Sequence, residues 1–456
     1  MWYIISTSSK MVSTKTLVAL AAFSLASVQG LDLDISDSKS IKNAAATIAK
    51  QLVKEYNVSE PGHPIGVLSI PGRPYYWWES AAMFDTLIKY WSLTGDDQFN
   101  NIVTDGMIAQ QGEHNDFMPL NWTASEGNDD QSFWALAAMS AAESKLPKPQ
   151  NGSWIDLADA VFNEQVLRWD DETCGGGLRW QIFSFNTGYS WKNSLTNANF
   201  FQLASRLAAY TGNSTYSEWA SKAYNWTTSV GFVTSDGTVY DGADVSKNCS
   251  TISKVQSSDK AGSFIAGAAY MYNVTKGSEQ WKNTLNNLLL ANIETFFSNG
   301  VAIESECEPQ NRCTTDQLAF KGLLGQALVE TLKVAPYTEG MIIASLQSSA
   351  KAAAKACTDS GCAFVWDGSA QNSTSGVGEK IDALSFVQGL LYKDAAAPAT
   401  NATSTSGGSG TKSGSSAATT TSSTAAEASK NAAASTVMMS SGAVMSLFGA
   451  VAWMVL

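Results

Sequence analysis

"YWSLTGDDQF", residues 90–99, returns as "AYTGNSTYSEW" at 209–219 and more loosely as "YNVTKGSEQW" at 272–281. Each copy follows an Ala-rich stretch with apolar residues at helical spacing, turns on Thr-Gly or Lys-Gly, and restarts on an aromatic residue. Glycine at that turn suits a helix C-cap, where the backbone must become left-handed. The unit is a reused helix–turn–helix. The same spacing marks 40–56, 80–95, 131–144, 197–212, 262–275 and 316–332, while alternating strand patterns are scarce. About a dozen helices in hairpins can build an open solenoid or a closed ring of inner and outer helices. "FIAGAAYMY", at 264–272, is apolar on more than one side, as an inner helix of a double ring would be. No Pro/Gly/Ser-rich linker splits residues 31–393, which are long enough for one large core.

The two ends have another character. Lys10 and Lys15 precede a short apolar run, "LVALAAFSLA" at 17–26, then small residues. Residues 1–30 are therefore expected to be a secretory signal peptide, with Met11 a second plausible start. From about 394 to 431 the chain is Ala, Ser, Thr and Gly, a composition that cannot bury enough surface to form a core and is expected to be a disordered stalk. Residues 432–456, a polar spacer followed by an apolar tail, are expected to be the removed propeptide of a glycolipid (GPI) anchor. Asn431 is the favoured attachment site over Ser429 and Gly442. The competing reading, a C-terminal membrane helix, lacks a basic residue after the tail to hold it in the cytosol.

Nine Asn-x-Ser/Thr sequons, at Asn57, Asn121, Asn151, Asn213, Asn225, Asn248, Asn273, Asn372 and Asn401, fit export and glycosylation. Six cysteines fit three disulfides in an oxidising compartment. Cys307 with Cys313 and Cys357 with Cys362 could close small loops, which leaves Cys174 with Cys249, although six cysteines allow fifteen pairings. The two histidines, His63 and His114, are not near a cysteine pair, so no metal site is expected, and no cofactor. A net charge of −12 argues against nucleic acid and acidic lipid as partners. Fifteen tryptophans suit both core packing and stacking on sugar rings.

"EGNDDQSFWALAAMSAAES", residues 126–144, sets two neighbouring aspartates at the start of a helical pattern. Asn128 or Asp129 could cap a helix starting near Gln131, and Asp130 in its first turn would suit the helix dipole. Capping does not exclude catalysis. Breaking a glycosidic bond needs an acid on the leaving oxygen and, in retaining enzymes, a carboxylate nucleophile about 5 Å away. Successive Cα atoms are about 3.8 Å apart, so adjacent side chains can reach that separation. Like charges so close would also push one pKa up, leaving a neutral acid beside an ionised nucleophile.

"YYWWESAAMFDTLIKYWSLTGDDQFN" at 75–100 and "GNDDQSFWALAAM" at 127–139 resemble glycoside hydrolase family 76, in particular its GPI-anchored fungal cell-wall members of the Dfg5/Dcw1 type. "LDLDISDSKSIKNAAATIA", "GGGLRWQIF" and "YSWKNSLTNANFFQLASRLA" extend the likeness over essentially all of 31–393. The resemblance implies an all-α (α/α)6 barrel and a retaining endo-α-1,6-mannosidase, with Asp129 as nucleophile and Asp130 as acid/base. It also implies a mannan or GPI-core glycan donor and wall glucan as an acceptor, in attaching GPI-anchored mannoproteins to the wall. Contact with the membrane is expected through the anchor alone.

Further sugar-binding candidates follow from position. Trp78 and Glu79 stand before a helix pattern, and Gln131 follows the acidic pair. The glycines of "GGGLRWQ" at 175–181 form either a turn or a backbone approach to ligand, with Trp180 as a stacking platform. Asn197 and Asn199 fall at another helix start, and Asp316 at a third, where capping competes with sugar binding. Lys192 is placed against a cleft carboxylate or a charged substrate group. Two other functions compete: a non-catalytic glycan-binding scaffold, and another (α/α)6 enzyme such as a lyase, whose anionic substrate would want a basic cleft.

Overall fold

The computed structural model describes residues 30–56, 62–68, 75–149, 152–368 and 375–401. The expected signal peptide up to residue 29, most of the stalk, the anchor propeptide with Asn431, and Asn57, Asn151 and Asn372 lie outside these residues. Among the described residues no helix is long and apolar enough to cross a membrane.

Twelve helices form among the described residues. In chain order they are α1 (Ser38–Tyr56), α2 (Trp77–Thr94), α3 (Asn100–Ala109), α4 (Asn128–Glu143), α5 (Trp154–Leu167), α6 (Ser194–Thr211), α7 (Ser214–Ser229), α8 (Ser258–Val274), α9 (Glu279–Phe296), α10 (Phe320–Val334), α11 (Glu339–Ala356) and α12 (Val377–Gly389). The repeated turns join α2 to α3, α6 to α7 and α8 to α9, and each even-numbered helix packs against the odd-numbered one that follows it, with α12 against α1. Each even-numbered helix also packs on the next even-numbered one, and α12 packs on α2, so the six close a ring. The odd-numbered helices lie outside. This is the (α/α)6 barrel, and closure decides against the solenoid.

Burial follows the two roles. The inner helix α4 is buried throughout except at Asp130 and Glu143, near its two ends. The outer helix α7 buries only Ala220, Ala223, Trp226 and Thr227, one stripe at helical spacing. The repeated turns end their helices as expected. Gly95 and Gly212 are left-handed (φ 79° and 72°), and their N–H groups donate to the carbonyls of Trp91 and Ala208.

Strands are short and peripheral. The β1 (Trp191–Asn193), β2 (Gly242–Asp244) and β3 (Ile252–Ser253) strands form an antiparallel sheet in that order. Lys192 pairs with Ala243 in its register. The disulfides are Cys174–Cys249, Cys307–Cys313 and Cys357–Cys362.

All six inner helices run in the same direction, so their N-termini meet at one end of the ring. The loops leading into them are longer than the turns at the other end. Helix N-termini aimed at one mouth give it a positive backbone field, which favours the carboxylates the chain places there.

Candidate active site

At that mouth lies a cavity of about 550 Å³. Its walls are the first turns of the inner helices: Trp78 of α2; Asp129, Asp130 and Phe133 of α4; Asn193 and Leu195 at the start of α6; Asp259 and Lys260 of α8; and Asp316 and Phe320 before and in α10. Tyr76, Ser125, Trp180, Gln181 and Asp241 come from the intervening loops.

The helix carrying the acidic pair begins three residues earlier than the sequence pattern suggests. Gly127 is its N-cap, and Asn128, Asp129 and Asp130 form its first turn. Asp130 does cap: its Oδ2 accepts the Gly127 N–H at 2.7 Å. Asp129 Oδ1 accepts the Asp130 N–H at 3.1 Å, and its Oδ2 faces the Asn193 amide at 3.5 Å. Capping and exposure to the cavity thus coexist in one carboxylate. A Cβ on Gly127 would stand 2.4 Å from Asp129 Oδ1 and 2.9 Å from Asp130 Oδ2, so these oxygens are at most about 5.3 Å apart, which excludes the wider separation of an inverting pair.

Burial dominates the protonation of this pair. Asp129 is pushed well above the usual carboxylate range, first by desolvation and then by the charge of Asp130. Asp130 is raised to about 7, again by desolvation first, against the lowering effect of the Gly127 N–H and with a further push from Asp316. Two carboxyls this close share protons as one unit, and near neutral pH one of them is protonated. Glu126, three residues before Asp129, is buried and raised to about 9, so it stays neutral and adds no charge.

The other candidates divide by what their side chains touch. Trp78 Nε1 donates to Asp316 Oδ1 at 2.9 Å, and both line the cavity. The Trp78 ring leans on Phe133 at 4.7 Å and Phe320 at 6.2 Å, an aromatic wall beside the acids. Trp180 is held from both sides: its N–H donates to the Trp191 carbonyl, and its own carbonyl accepts the Asn128 N–H.

Four expected sugar contacts do not line the cavity. Glu79 sits inside the first turn of α2, not before it, and caps that helix by accepting the Tyr76 N–H at 2.6 Å. Gln131 is fully buried, bridging the Asp116 carbonyl and Arg168. Asn197 braces the chain at Leu178, and Asn199 accepts from Ser263 inside the barrel wall. Both lie within α6, which starts at Ser194.

Lys192 also departs from expectation. It is buried under the 170–177 loop, donating to the carbonyls of Asp170, Thr173 and Gly176 and pairing with the Asp170 carboxylate at 3.2 Å. The triple glycine closes against Trp226 and not against ligand, since a Cβ on Gly177 would stand 2.3 Å from that ring.

Sequence reasoning missed Asn193, Asp241, Asp259 and Lys260. Asn193 caps α6 by accepting the Thr196 N–H, so it is a first-turn polar residue like Asp130. Lys260 Nζ pairs with Asp241 at 3.1 Å and donates to Ser257 Oγ. Asp259 is buried, and its Oδ2 has no hydrogen-bond partner among the described residues. Asn193, Asp259 and Lys260 share a usable signal, a polar residue at the start of an inner helix, whereas Asp241 stands in a loop and carries none. The groups at this mouth are acids, amides and rings, a set that binds sugar hydroxyls and apolar sugar faces.

Comparison with known proteins agrees. The model of glycosyl hydrolase family 76 matches residues 40–402. The chain is 40% identical over 388 residues to the mannan endo-1,6-alpha-mannosidase DCW1 of Saccharomyces cerevisiae, covering 83% of this chain and 84% of that protein. It is 37% identical over 403 residues to DFG5 of the same yeast, another mannan endo-1,6-alpha-mannosidase, covering 87% of each. The structure of Dfg5 from Chaetomium thermophilum in complex with glucosamine superposes with a TM-score of 0.77 at 41% identity, over 81% of this chain and 94% of that one. The alpha-1,6-mannanase GH76A of Salegentibacter sp. HEL1_6 shares the fold, with a TM-score of 0.63 at 17% identity over 77% of this chain and 98% of that one. On fold, length and sequence together, the chain is a glycoside hydrolase and belongs to glycosyl hydrolase family 76.

Proposed function

We propose that this enzyme is a retaining endo-α-1,6-mannosidase with transglycosidase capacity, acting on α-mannosides or GPI-core glycans at the outer face of the plasma membrane in fungal wall building. One observation carries the reading: two successive carboxyls, at most about 5.3 Å apart between their nearer oxygens, open into one sugar-sized cavity. Asp129 is the nucleophile and Asp130 the acid/base.

In the first step Asp129 attacks the anomeric carbon while Asp130 gives its proton to the departing glycosidic oxygen. That proton transfer also settles the charges. While Asp130 is protonated it exerts no repulsion, and the Asp130 N–H and the Asn193 amide favour the ionised form of Asp129 against the burial that opposes it. In the second step Asp130, now ionised, takes a proton from water or from a sugar hydroxyl. The oxygen so activated displaces Asp129 and frees the product. A group with a pKa of about 7 serves both directions.

The rest of the cavity suits a neutral or amino sugar. Trp78, Trp180, Phe133 and Phe320 offer ring faces, and Asp241, Asp259 and Asp316 accept hydroxyl or ammonium protons. Carboxylates outnumber the single Lys260, which argues against the uronides of a lyase. Relatives at about 40% identity carry the mannan endo-1,6-alpha-mannosidase name, and one binds glucosamine, the sugar type an acidic cavity would favour. Residues 1–30 and 432–456 support export and a GPI anchor at Asn431, with 394–431 as a stalk beyond the catalytic domain of 31–393.

The test uses a fluorescent GPI-core glycan and an α-1,6-mannooligosaccharide, each with and without β-glucan. D129N and D130N should each lower product formation by at least about a thousandfold. A fluorescent conjugate on the glucan demonstrates transfer, and free hydrolysate alone restricts the enzyme to hydrolysis. Normal turnover by both variants overturns the assignment.

A further inference from the structure

Residues 181–190 leave the cavity at Gln181 and return to it at β1, where Asn193 is again a wall residue. Both ends of this loop therefore belong to the sugar site. Its outward part carries two rings in parallel: Phe183 and Phe185 have centroids 5.3 Å apart and planes at 7°. Phe185 is 72% exposed. A phenyl ring held in water forgoes the stabilisation of burial, about 1.5–3 kcal/mol for such a side chain, so its position calls for a reason.

The loop is firmly braced. Asn186 Nδ2 donates to the Ala124 carbonyl and to Gln181 Oε1, and its N–H donates to the Phe183 carbonyl. Arg179 donates to the Tyr189 carbonyl and lies over the Tyr189 ring at 4.6 Å. An ordered, solvent-facing aromatic pair is a preformed stacking surface that loses little entropy on binding.

We infer that Phe183 and Phe185 form a remote sugar platform, which holds an acceptor chain of β-linked glucose where it runs out over the rim. This rests on the proposed function. Position selects the acceptor side. Gln181 bridges Gly127, whose N–H is bonded to Asp130, and Asn186 is tied to Ala124 just before it. The loop thus flanks the carboxyl that releases the leaving group and activates the acceptor.

Chemistry selects the glycan. A β-linked glucose ring has all its ring substituents equatorial, so both faces present C–H groups that can lie flat on a phenyl ring. An α-1,6-mannose chain carries an axial hydroxyl and a flexible exocyclic link at each residue, and presents no continuous flat face.

The test is affinity electrophoresis of the full folded enzyme in gels containing soluble β-1,3-glucan or α-1,6-mannan, together with the transfer assay. F185A should weaken β-glucan retardation and transfer to long β-glucan by roughly three- to tenfold. Cleavage of α-1,6-mannotriose should stay unchanged, and F185W should restore glucan binding. The exposed position of Phe185 lets the alanine variant fold. Unchanged glucan retardation in F185A, or a loss confined to mannan, overturns the platform. Because retardation needs no turnover, a wild type that binds glucan through Phe185 but cleaves no mannoside would sink the proposed reaction and leave the platform standing.

Discussion

Burial sets the protonation of Asp130, and the sign of that effect reaches stability as well as rate. Its folded pKa of about 7 lies above the unfolded value near 3.9, so the folded state holds a proton that the unfolded chain gives up. Below the unfolded value both states are protonated and the group costs nothing. As pH rises towards 7 the unfolded chain ionises freely while the folded one resists, and stability falls. D130N removes that penalty. It should raise stability at pH 8 by about 2 kcal/mol and leave it unchanged at pH 4, read as melting temperatures at the two pH values. Equal shifts at both would show that charge is not the cause. Activity should follow the same proton: wild-type turnover should fall as pH rises through about 7, where the acid needed for the first step is lost. At this scale the pair was legible through the motifs around it and the family likeness they carry, and not through adjacency alone, because adjacent acids ahead of a helix recur in this chain at Asp96 and Asp97. Asp241 was not, since a single acid in a loop carries no mark until the fold assembles it.

The helix start is the next unit, and here one residue supports two functions. Gly127 has ordinary extended φ, so its glycine identity meets a spatial demand and not a backbone one. Both carboxyls fold back over the place a Cβ would occupy, with Trp180 Nε1 at 3.2 Å. G127A should therefore leave the melting temperature within a few degrees but lower kcat by about a hundredfold, because displacing reacting groups by an ångström costs that much. A fall in KM alone would contradict it. Asn193 offers a sharper separation, since it both caps α6 and donates to Asp129. N193A should cost about 1 kcal/mol of stability and also lower kcat. N193D keeps the cap acceptor but loses the donor and adds a charge, so it should hold its stability and still lose kcat. If N193D keeps full kcat, the amide does not orient the nucleophile. The sequence placed the helices well and their first residues poorly. Apolar periodicity weakens in a first turn, whose polar residues face a cavity, and this is why Glu79, Asn197 and Asn199 were set at a mouth they do not line.

Ring closure creates contacts that local pattern does not reveal. Lys89 of α2, Glu143 of α4, Arg206 of α6 and Glu330 of α10 come from widely separated stretches, yet they meet on the barrel axis below the cavity. Lys89 pairs with Glu330 at 2.6 Å and with Asp85 at 2.7 Å, while Arg206 pairs with Glu143 at 2.8 Å and faces Glu330 at 4.0 Å. The repeat foretold helical pairs, and the family likeness foretold their closure, but a lumen filled with charge was outside both. The largest influence on Glu330 is burial, which pushes its pKa up. Lys89 and Arg206 together outweigh it and bring the carboxyl down to about 2. The folded value lies below the unfolded one near 4.3, so the stabilisation is complete above that unfolded value and fades as pH falls towards 2. E330Q leaves two buried cations short of a partner and should cost about 3 kcal/mol at pH 7. At pH 3 the unfolded carboxyl is already protonated, and the gap between wild type and E330Q should shrink to roughly half. Denaturant unfolding at the two pH values measures both gaps. Equal gaps would mean that Glu330 holds the six inner helices together through its shape and packing, and that the ion pairs across the lumen contribute nothing to closing the ring.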